Sequence, residues 1–323
     1  MASTQRPTAV VSGAAGFIGS HLAARLVELG WAVRAIDNGR SGDWNHIHVP
    51  VARIERDLTS LSERELVSLV DGADALFHLA AEKYNSARAT PQRTIDVNIS
   101  ATRRLFDAAA RAGVGKVVFT SSLYAYGALG PDQMAETDPP APTTVYGMSK
   151  VAGEHLLRVA ARDHGLRSTV ARLFFIYGPR QFVEGGYKSV ILRNFERISR
   201  GESPVVCGDG EQALDYVYVD DCVEALLAML PPEHDRWTYN VCTGRAISVN
   251  ALTRSMLDIA GSDLEPVSQP PDWTAGTSRV GSPSLAEQRL EWRATTPIEE
   301  GLARVWHWLA DKSAPYRAGA SSR

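Results

Sequence analysis

The chain has 323 residues, of which 44% are hydrophobic and 22% are charged, and its formal net charge is −3. This length allows one large domain or two smaller ones, and the near-neutral charge argues against nucleic-acid or membrane-surface partners. No apolar run approaches the roughly 18 residues of a membrane helix, and the first residues lack the pattern of a secretion signal. The three cysteines, Cys207, Cys222 and Cys242, show no C-x-x-C spacing. The sequence therefore predicts a cytoplasmic protein without a metal site.

Short apolar runs alternate with helical patterns through the first half of the chain. Strands are predicted over 8–13, 32–37, 73–81, 116–122 and 168–178. Helices are predicted over 17–30, 65–70, 97–113 and 146–165. Because strands and helices alternate with short connections, we expect a parallel sheet covered on both faces, which is a doubly wound α/β (Rossmann) fold.

The pattern loosens after residue 178. Helices are predicted over 189–201, 222–230 and 249–261, and a strand-like alternation covers 215–221. We expect a Rossmann domain over 1–177 and a smaller C-terminal α/β substrate lobe over 178–312, partly joined back onto the first domain. The last residues, 313–323, are small and polar, which predicts a disordered tail.

A glycine-rich turn, GAAGFIG, connects the first predicted strand to the first helix and contains Gly13, Gly16 and Gly19. Small residues there let the backbone approach a pyrophosphate, and the helix N-terminus favours negative charge. Asp37 ends the next strand, where a carboxylate accepts hydrogen bonds from an adenosine ribose and repels a 2′-phosphate. Arg40 is a residue type that could serve NADP. The glycines alone could also serve tight packing, but with Asp37 they predict NAD as cofactor.

Tyr146 and Lys150 lie four residues apart at the start of a predicted helix, which places them on one face. A free tyrosine, with a pKa of about 10, is a poor base at neutral pH, and a nearby ammonium lowers that pKa. Ser122 ends the preceding strand and can exchange a proton beside the tyrosine. These three residues form a candidate acid–base set. His78 has no second metal-type residue near it in a motif, so we expect it to pack in the core.

Several further motifs occur together in one order: Asp57-Leu58, HLAA, NISAT, SSLYAYG, YGMSK and YGPRQ. With the glycine-rich turn they resemble the extended short-chain dehydrogenase/reductases, most closely the NAD-dependent nucleotide-sugar epimerase/dehydratase branch (UDP-glucose 4-epimerase-like). The resemblance runs from Thr8 to about Leu309. It implies that Ser122, Tyr146 and Lys150 are catalytic: the tyrosine takes a hydroxyl proton while the adjacent carbon gives a hydride to NAD, and the hydride returns to the other face of the keto-sugar.

The resemblance also implies which residues bind NAD. Besides Tyr146 and Lys150 these are Gly13, Gly16, Phe17, Ile18, Gly19, Asp37, Asn38, Asp57, Leu58, Leu79, Ala80, Ala81, Asn98 and Phe174. The helices predicted over 97–113 and 146–165 correspond to the pair through which relatives dimerise, so a homodimer is expected.

The residues that follow Ser122 separate the reactions of this family. The 4,6-dehydratases carry Thr-Asp-Glu where this chain has Ser122-Leu123-Tyr124, so both carboxyl groups that could protonate a leaving hydroxyl are absent. Epimerisation needs only reversible hydride transfer and room for the ketone to rotate. We therefore expect an NAD-dependent epimerase of a nucleotide-activated sugar, and the resemblance implies that it acts at C4. A 4,6-dehydratase and a non-catalytic NAD-binding protein are the less favoured alternatives.

The residues that hold the nucleotide diphosphate in relatives are changed in this chain. Phe175 stands where Asn is usual, Leu214 precedes Asp215 where Arg is usual, and QPPD replaces Arg-Pro-Gly-Asp. Either other cations hold the diphosphate, or the substrate is a sugar or polyol without it. The residues expected at the substrate are Lys83, Tyr84, Ser122, Phe175, Lys188, Arg193 and Arg279. The sequence leaves the sugar, the nucleotide and the inverted carbon open.

Overall fold

The computed structural model describes residues 6–127, 133–181, 188–271 and 276–313, so the predicted tail lies outside the described residues from 314 onward. Its α-helices are α1 Phe17–Glu28, α2 Glu63–Val70, α3 Tyr84–Ala89, α4 Pro91–Ile95, α5 Thr102–Arg111, α6 Val145–His164, α7 Val190–Ser199, α8 Val219–Ala228, α9 Val249–Ala260, α10 Ser284–Arg289 and α11 Ile298–Ser313. Its strands are β1 Thr8–Ser12, β2 Ala32–Asp37, β3 Ala52–Glu55, β4 Ala75–His78, β5 Val117–Ser122, β6 Ser168–Leu173, β7 Phe175–Tyr177, β8 Val205–Cys207, β9 Ala213–Leu214, β10 Tyr216–Tyr218, β11 Thr238–Val241, β12 Ile247–Ser248, β13 Val267–Gln269 and β14 Ser278–Arg279.

The largest sheet that the described residues form has seven strands in the order β11-β6-β5-β4-β1-β2-β3. All of its strand pairs are parallel. The strand order reverses at β1, which pairs with β2 on one side and with β4 on the other. Doubly wound sheets bind ligands at the carboxyl ends of the strands beside such a reversal. The predicted Rossmann fold is confirmed, and this reversal marks the edge of the sheet where the site is expected.

Helices cover both faces of this sheet. One face packs against α1 and α8 through residues such as Leu22 and Leu226. The other packs against α2, α5 and α6 through residues such as Leu66, Leu105 and Leu157. Strands β5 and β6 are buried along their whole length, as expected for parallel strands covered from both sides. The ends of these strands are therefore held by a packed core.

The strand predicted over 168–178 is interrupted, so this part of the sequence analysis was wrong. β6 ends at Leu173 in the main sheet, whereas β7 pairs with β10 in a separate two-stranded sheet. The Phe174 amide still donates to the Val241 carbonyl of β11, but the Phe175 amide donates to the Asp215 carbonyl. A continuous apolar run does not reveal this change of partner, because β6 is buried throughout and β7 is at least partly buried.

The C-terminal half contributes to both parts of the molecule. β11, which the sequence did not predict, joins the main sheet beside β6. Around a second core, α7, α9 and α11 pack through residues such as Phe195, Met256 and Leu302. The alternation over 215–221 is only partly a strand, because α8 begins at Val219. The acidic residues in the first turn of α8 suit the N-terminus of a helix.

Candidate active site

The glycine-rich turn lies at the carboxyl end of β1. Gly13 has a φ of 75°, and a Cβ at this residue would lie 2.7 Å from the Ala80 amide nitrogen. A Cβ on Gly19 would lie 2.1 Å from the Gly13 carbonyl oxygen, so only glycine allows α1 to start this close to the turn. Gly16 is the N-cap of α1, and it has no side chain with which to cap the first-turn amides. The turn therefore offers a close backbone approach and N–H groups to an anionic ligand.

Asp37 lies beside this turn at the end of β2. Its Oδ2 accepts a hydrogen bond from the Ala15 amide at 3.1 Å and its Oδ1 accepts one from the Gly39 amide at 2.8 Å. Burial raises the pKa of Asp37, against the effect of these amides and of the Lys83 charge. Desolvation of the ammonium by nearby protein groups lowers the pKa of Lys83, against the charge of Asp37, although the residue as a whole is exposed. Lys83, which was expected at the substrate, therefore lies close enough to Asp37 for the two charges to interact.

Asn38 and Asp57 extend the same edge of the sheet. The Asn38 side chain donates to Asp57 Oδ2 at 3.1 Å, and Leu58 beside it is buried. Arg93, which the sequence analysis missed, donates to Asp57 Oδ2 at 3.0 Å and to Glu82 Oε1 at 2.7 Å. Burial acts to raise the pKa of Asp57, but hydrogen bonds, among them the one from Arg93, outweigh it and hold the pKa well below its usual range. This end of the cleft is therefore fixed by charged hydrogen bonds.

Asn98 is a buried residue that holds the segment after β4 in place. It is 2% exposed, and its Oδ1 accepts from the Glu82 amide at 2.7 Å. Its Nδ2 donates to the Glu82 carbonyl at 3.0 Å and to Ser149 Oγ at 3.0 Å. Asn98 therefore ties the segment that carries Lys83 to helix α6, and its direct contact with the cofactor stays a prediction. The other expected residues lie on the same edge: Phe17 and Ile18 begin α1, and Leu79, Ala80 and Ala81 follow β4.

The three candidate catalytic residues come together where β5 ends and α6 begins. Thr144 caps α6 by accepting from the Gly147 amide at 3.0 Å. Ser122 ends β5, close enough to Tyr146 for its hydroxyl to act against the rise in the tyrosine pKa. The Lys150 Nζ lies 5.8 Å from the centroid of the Tyr146 ring. The spacing seen in the sequence thus places all three side chains in one site.

The protonation of this set follows from its burial. Burial raises the pKa of Tyr146 to about 12, and the hydrogen bond from Ser122 opposes this only in part. Burial lowers the pKa of Lys150 to about 8, and the charge of Glu154 opposes it. The Lys150 ammonium donates to the Thr120 carbonyl at 3.0 Å, and the expected lowering of the tyrosine pKa by the lysine and an oxidised nicotinamide stays a prediction. Burial alone therefore favours the neutral phenol of Tyr146, and its phenolate depends on nearby positive charge.

A buried ion pair, which the sequence analysis missed, supports the catalytic helix. Arg172 Nε donates to Glu154 Oε1 at 2.9 Å, and its terminal nitrogen donates to Oε2 at 2.8 Å. Ser121 Oγ donates to Glu154 Oε1 at 2.6 Å. Both charged side chains are at most 2% exposed. The pair therefore ties α6, one turn after Lys150, to β5 and β6.

Tyrosine rings form a wall beside Tyr146. The ring of Tyr124 meets that of Tyr146 edge-on, with centroids 5.6 Å apart, and stacks on Tyr84 at 5.0 Å. The Arg279 guanidinium also lies over the Tyr124 ring, 5.5 Å from its centroid. Tyr84 and Arg279, both expected at the substrate, are thus neighbours of the catalytic tyrosine through Tyr124.

The two phenylalanines after β6 have different surroundings. Phe174 is 5% exposed and packs with Leu123 and Cys242 in a small cluster beside the wall. Phe175 is partly buried, and its ring centroid lies 6.1 Å from that of Tyr216. Phe174 therefore lies next to the catalytic segment, whereas Phe175 bridges to the core of the C-terminal half. Their contacts with cofactor and substrate stay predictions.

Two other cations expected at the substrate have different positions. The Lys188 Nζ donates to both carboxylate oxygens of Glu196, at 2.9 and 2.6 Å. Its charge is therefore already compensated, which argues against the expected role at a diphosphate. Arg193 lies on α7 and is partly buried, with its Nε inside the protein. Its expected role also stays a prediction.

His78 is a core residue, as predicted. It is 1% exposed, and its ring nitrogens hydrogen-bond Ser12 Oγ at 2.7 Å and Thr102 Oγ1 at 2.9 Å. Burial lowers its pKa to about 3, so the ring is neutral.

Throughout the described ranges, His, Cys, Asp and Glu side chains form no group of three or more that could hold a metal ion. No helix in the described part of the chain has the length and hydropathy needed to cross a membrane.

The described edge of the sheet fits the dinucleotide that the resemblance implies. A pyrophosphate needs close backbone approach and N–H donors, which the turn around Gly13 and Gly19 supplies. An adenosine ribose needs an acceptor, which Asp37 supplies beside that turn. Tyr146 and Lys150, which lie at the start of α6 next to β5, are the residues that would meet the nicotinamide of such a ligand. The residues present therefore fit NAD.

Comparisons with known proteins agree with this geometry. The UDP-glucose 4-epimerase of Mycolicibacterium smegmatis is 32% identical over 94% of this chain and 99% of its own. The structure of the UDP-glucose 4-epimerase of Thermotoga maritima with UDP-glucose is 33% identical, with a TM-score of 0.88 over 94% of this chain and 99% of its own. The UDP-glucose 4-epimerase of Thermus thermophilus in complex with NAD is 28% identical, with a TM-score of 0.85 over 95% of this chain and 100% of its own.

A family model adds to these pairwise similarities. It is described as the NAD dependent epimerase/dehydratase family, and it matches residues 9–242. The matched segment contains the glycine-rich turn, Asp37, Ser122, Tyr146 and Lys150, which the structure places along one edge of the sheet. This chain belongs to the NAD dependent epimerase/dehydratase family.

Proposed function

We propose that this protein is an NAD-dependent epimerase that inverts a nucleotide-activated sugar at C4. The observation that carries the proposal is the Ser122–Tyr146–Lys150 set beside a cradle that fits a dinucleotide. The similarity to UDP-glucose 4-epimerases over almost the whole chain supports it. The family also includes dehydratases, so the choice between reactions rests on the site.

Three residues carry out or support the proton transfer: Tyr146, Ser122 and Lys150. Tyr146, as the phenolate, takes the proton of the sugar hydroxyl during oxidation and returns it to the keto oxygen during reduction, and the hydrogen bond from Ser122, which acts to lower the tyrosine pKa, favours that phenolate. Lys150 is held by the Thr120 carbonyl and puts a positive charge beside the tyrosine ring. NAD, when bound, would supply reversible hydride transfer at the reacting carbon.

The residues after Ser122 favour epimerisation over dehydration. Leu123 is 2% exposed and packs in the small cluster with Phe174. Burial raises the pKa of Tyr124, so this phenol is a poor acid for a leaving hydroxyl. A dehydratase needs a carboxylic acid that protonates the leaving group, and these two positions do not supply one. The keto-sugar is therefore reduced again rather than dehydrated.

A second candidate substrate is a sugar or polyol without the nucleotide diphosphate. The positions where relatives carry a diphosphate-binding amide and arginine hold Phe175 and Leu214. Leu214 is 6% exposed and packs in the core of the C-terminal half, so it offers no donor. This observation favours the alternative, and a screen of nucleotide sugars and free sugars decides between the two.

The experiment that tests the function is a screen of UDP-, GDP-, CDP- and dTDP-sugars and of free sugars with the purified protein. NMR of the products identifies the epimer and the inverted carbon. We expect a C4 epimer from a nucleotide sugar without added NAD. Turnover of free sugars alone would instead support the alternative, and turnover of neither contradicts both.

Replacing Gly19 by Ala should remove the cofactor. The added methyl would lie 2.1 Å from the Gly13 carbonyl oxygen, so the backbone turn must open. We expect the NAD content of the purified protein, measured after denaturation, to fall by at least about tenfold, since an opened turn loses more than about 1.4 kcal/mol of binding.

Gly30→Ala is the matched control at the other end of the same helix. Gly30 has a φ of 85° with no atom near its Cβ position, so alanine there is strained by about 1–2 kcal/mol without touching the turn. Its NAD content should stay at the wild-type level. Equal NAD content in the Gly19→Ala protein would show that the turn does not bind the cofactor.

We also propose that the protein is a homodimer, as the resemblance implies. An apolar row on α6 is exposed: Met148 is 57% exposed, Val159 is 44% and Val145 is 37%. These residues recur at the spacing of one helix face, and Ile95, at the end of the neighbouring helix α4, is also exposed at 39%. Exposed apolar rows of this kind are typical of interfaces between subunits.

The dimer is tested by replacing Met148 with Glu. Light scattering should give twice the chain mass of 35.1 kDa for the wild type and a single chain mass for the variant. Leu29→Glu, at another exposed apolar residue, should leave the mass unchanged. A wild type of 35.1 kDa contradicts the proposal.

Two further assignments are proposals of the same kind. All three cysteines are free thiols in the described structure, which supports a reducing compartment such as the cytoplasm. We also keep the division into a Rossmann domain over 1–177 and a substrate lobe over 178–312. The second core around α7, α9 and α11 supports that division.

A further inference from the structure

One guanidinium joins two loops at the cofactor edge of the main sheet. Arg93 Nη2 donates to Asp57 Oδ2 at 3.0 Å, and its Nε donates to Glu82 Oε1 at 2.7 Å. The three side chains are only 19–28% exposed. Because a guanidinium carries five donors in one plane, it can hold two carboxylates at the same time.

The two loops lie on either side of the strands that carry the predicted adenosine site. Asp57 follows β3 and Glu82 follows β4, and the sheet order places β1 and β2 between those strands. The glycine-rich turn and Asp37, which fit a pyrophosphate and a ribose, lie at the carboxyl ends of β1 and β2. The bridge through Arg93 therefore joins segments on both sides of the part of the edge that fits the adenosine half of NAD.

Each end of the bridge is also tied to a residue expected at the cofactor. At one end, Asn38 donates to the same Asp57 oxygen at 3.1 Å. At the other end, Asn98 accepts from the Glu82 amide at 2.7 Å and donates to the Glu82 carbonyl at 3.0 Å. A movement of either carboxylate would therefore displace segments that are expected to contact NAD.

The charges make this bridge depend on Arg93. Lys83 is a second cation nearby, and its charge interacts with Asp37 and Glu82. Arg93, however, is the cation that hydrogen-bonds both Asp57 and Glu82. Without it, the two carboxylates would repel each other, which favours separation of the loops.

We propose that Arg93 is a positioning residue that slows the release of NAD by holding together the loops after β3 and β4. The inference rests on NAD as the cofactor and not on which sugar is epimerised. A cofactor that is reduced and reoxidised within one turnover has no need to leave the protein, so slow release suits the proposed reaction.

The test measures the release of NAD from the loaded protein, as the cofactor that remains after timed dialysis. Arg93→Ala should speed release by about 10- to 100-fold, the effect of losing charged hydrogen bonds. Arg93→Lys keeps the charge but not the planar set of donors, so its rate should be intermediate. Arg111→Gln is the matched control, because Arg111 pairs with Glu63 at 2.8 Å between α5 and α2. Its release rate should equal that of the wild type.

A second substitution separates this role from a merely structural one. Adding Glu82→Gln to Arg93→Ala removes the repulsion and should slow release toward the wild-type rate, whereas lost packing of the arginine would not be restored. Release from Arg93→Ala at the wild-type rate overturns the proposal, and so does fast release that Glu82→Gln leaves unchanged.

The same measurements distinguish this proposal from the proposed function. A wild type that binds no NAD contradicts both together. A wild type that retains NAD but epimerises no sugar contradicts the proposed function alone, because the release rates of the Arg93 variants can still be compared with its own.

Discussion

Tyr146→Phe should lower kcat by about 10²- to 10⁴-fold while the protein keeps its NAD. The change removes only the hydroxyl that exchanges a proton with the sugar, and acid–base catalysis by one positioned group contributes about that much. The ring remains, so its packing against Tyr124 is preserved. Substrate binding should change little, because the lost hydroxyl acts mainly in the transition state of the proton transfer. The measurements are the initial rate with the sugar found in the screen and the NAD content of the purified protein.

Tyr239→Phe is the matched control. Its hydroxyl also has a partner, His234 Nδ1 at 3.1 Å, but it lies near the start of β11 and away from the carboxyl ends of the strands. Its kcat should stay within about twofold of the wild type, since surface and remote changes leave the site intact. A Tyr146→Phe protein with the wild-type rate would contradict the assigned role.

Glu154→Ala should lower the free energy of unfolding by about 3–5 kcal/mol, the cost of leaving one partner of a buried ion pair unpaired. Arg172 would then keep a charge at 2% exposure, and Ser121 would lose its acceptor. Urea unfolding monitored by circular dichroism measures the change. Because the pair ties α6 to β5 and β6, we also expect weaker alignment of Lys150 and a lower rate.

Arg158→Ala is the control for this change. Arg158 also contacts Glu154 Oε2, at 3.1 Å, but is 45% exposed, so its loss should cost less than about 1 kcal/mol. A Glu154→Ala protein as stable as this control contradicts the role of the buried pair.

The contribution of Glu154 should also depend on pH. Burial acts to raise the pKa of Glu154, but the hydrogen bonds and charge of Arg172 outweigh it, so the pKa lies below its ordinary value of 4.5. The ionised carboxylate therefore stabilises the folded protein above pH 4.5, and this contribution is lost as the pH falls below 4.5 through the pKa of the folded state. The difference in stability between wild type and Glu154→Ala should shrink at acid pH.

The sequence predicts the parts of this protein that depend on local pattern. The glycine turn, the carboxylate of Asp37 and the Tyr146–Lys150 spacing each follow from one element or one turn. The parallel sheet follows from the alternation of strands and helices. The structure places these features on one edge of the sheet, since parallel strands present their carboxyl ends together.

The missed features depend on contacts between distant elements. Glu154 and Arg172 meet only after α6 packs on β6, although two signals were present: Glu154 follows Lys150 by four residues, and Arg172 interrupts an apolar strand. A buried charge of this kind needs a partner. The break after Leu173 is set by β10 and β11, which lie farther along the chain, beyond α7. The sequence also did not predict that Lys188 pairs with Glu196, because a sequence pattern does not show whether a cation binds a substrate or a neighbouring carboxylate.

The central claim is that Tyr146, Ser122 and Lys150 support a transient oxidation in which the hydride returns to the carbon that lost it. UDP-glucose deuterated at C4, incubated with the NAD-containing protein in ordinary water, tests this claim most directly. NMR and mass spectrometry of the product should show the C4 epimer with the deuterium retained at C4. An epimer that has lost its deuterium to solvent would contradict the account, because inversion would then proceed by proton exchange.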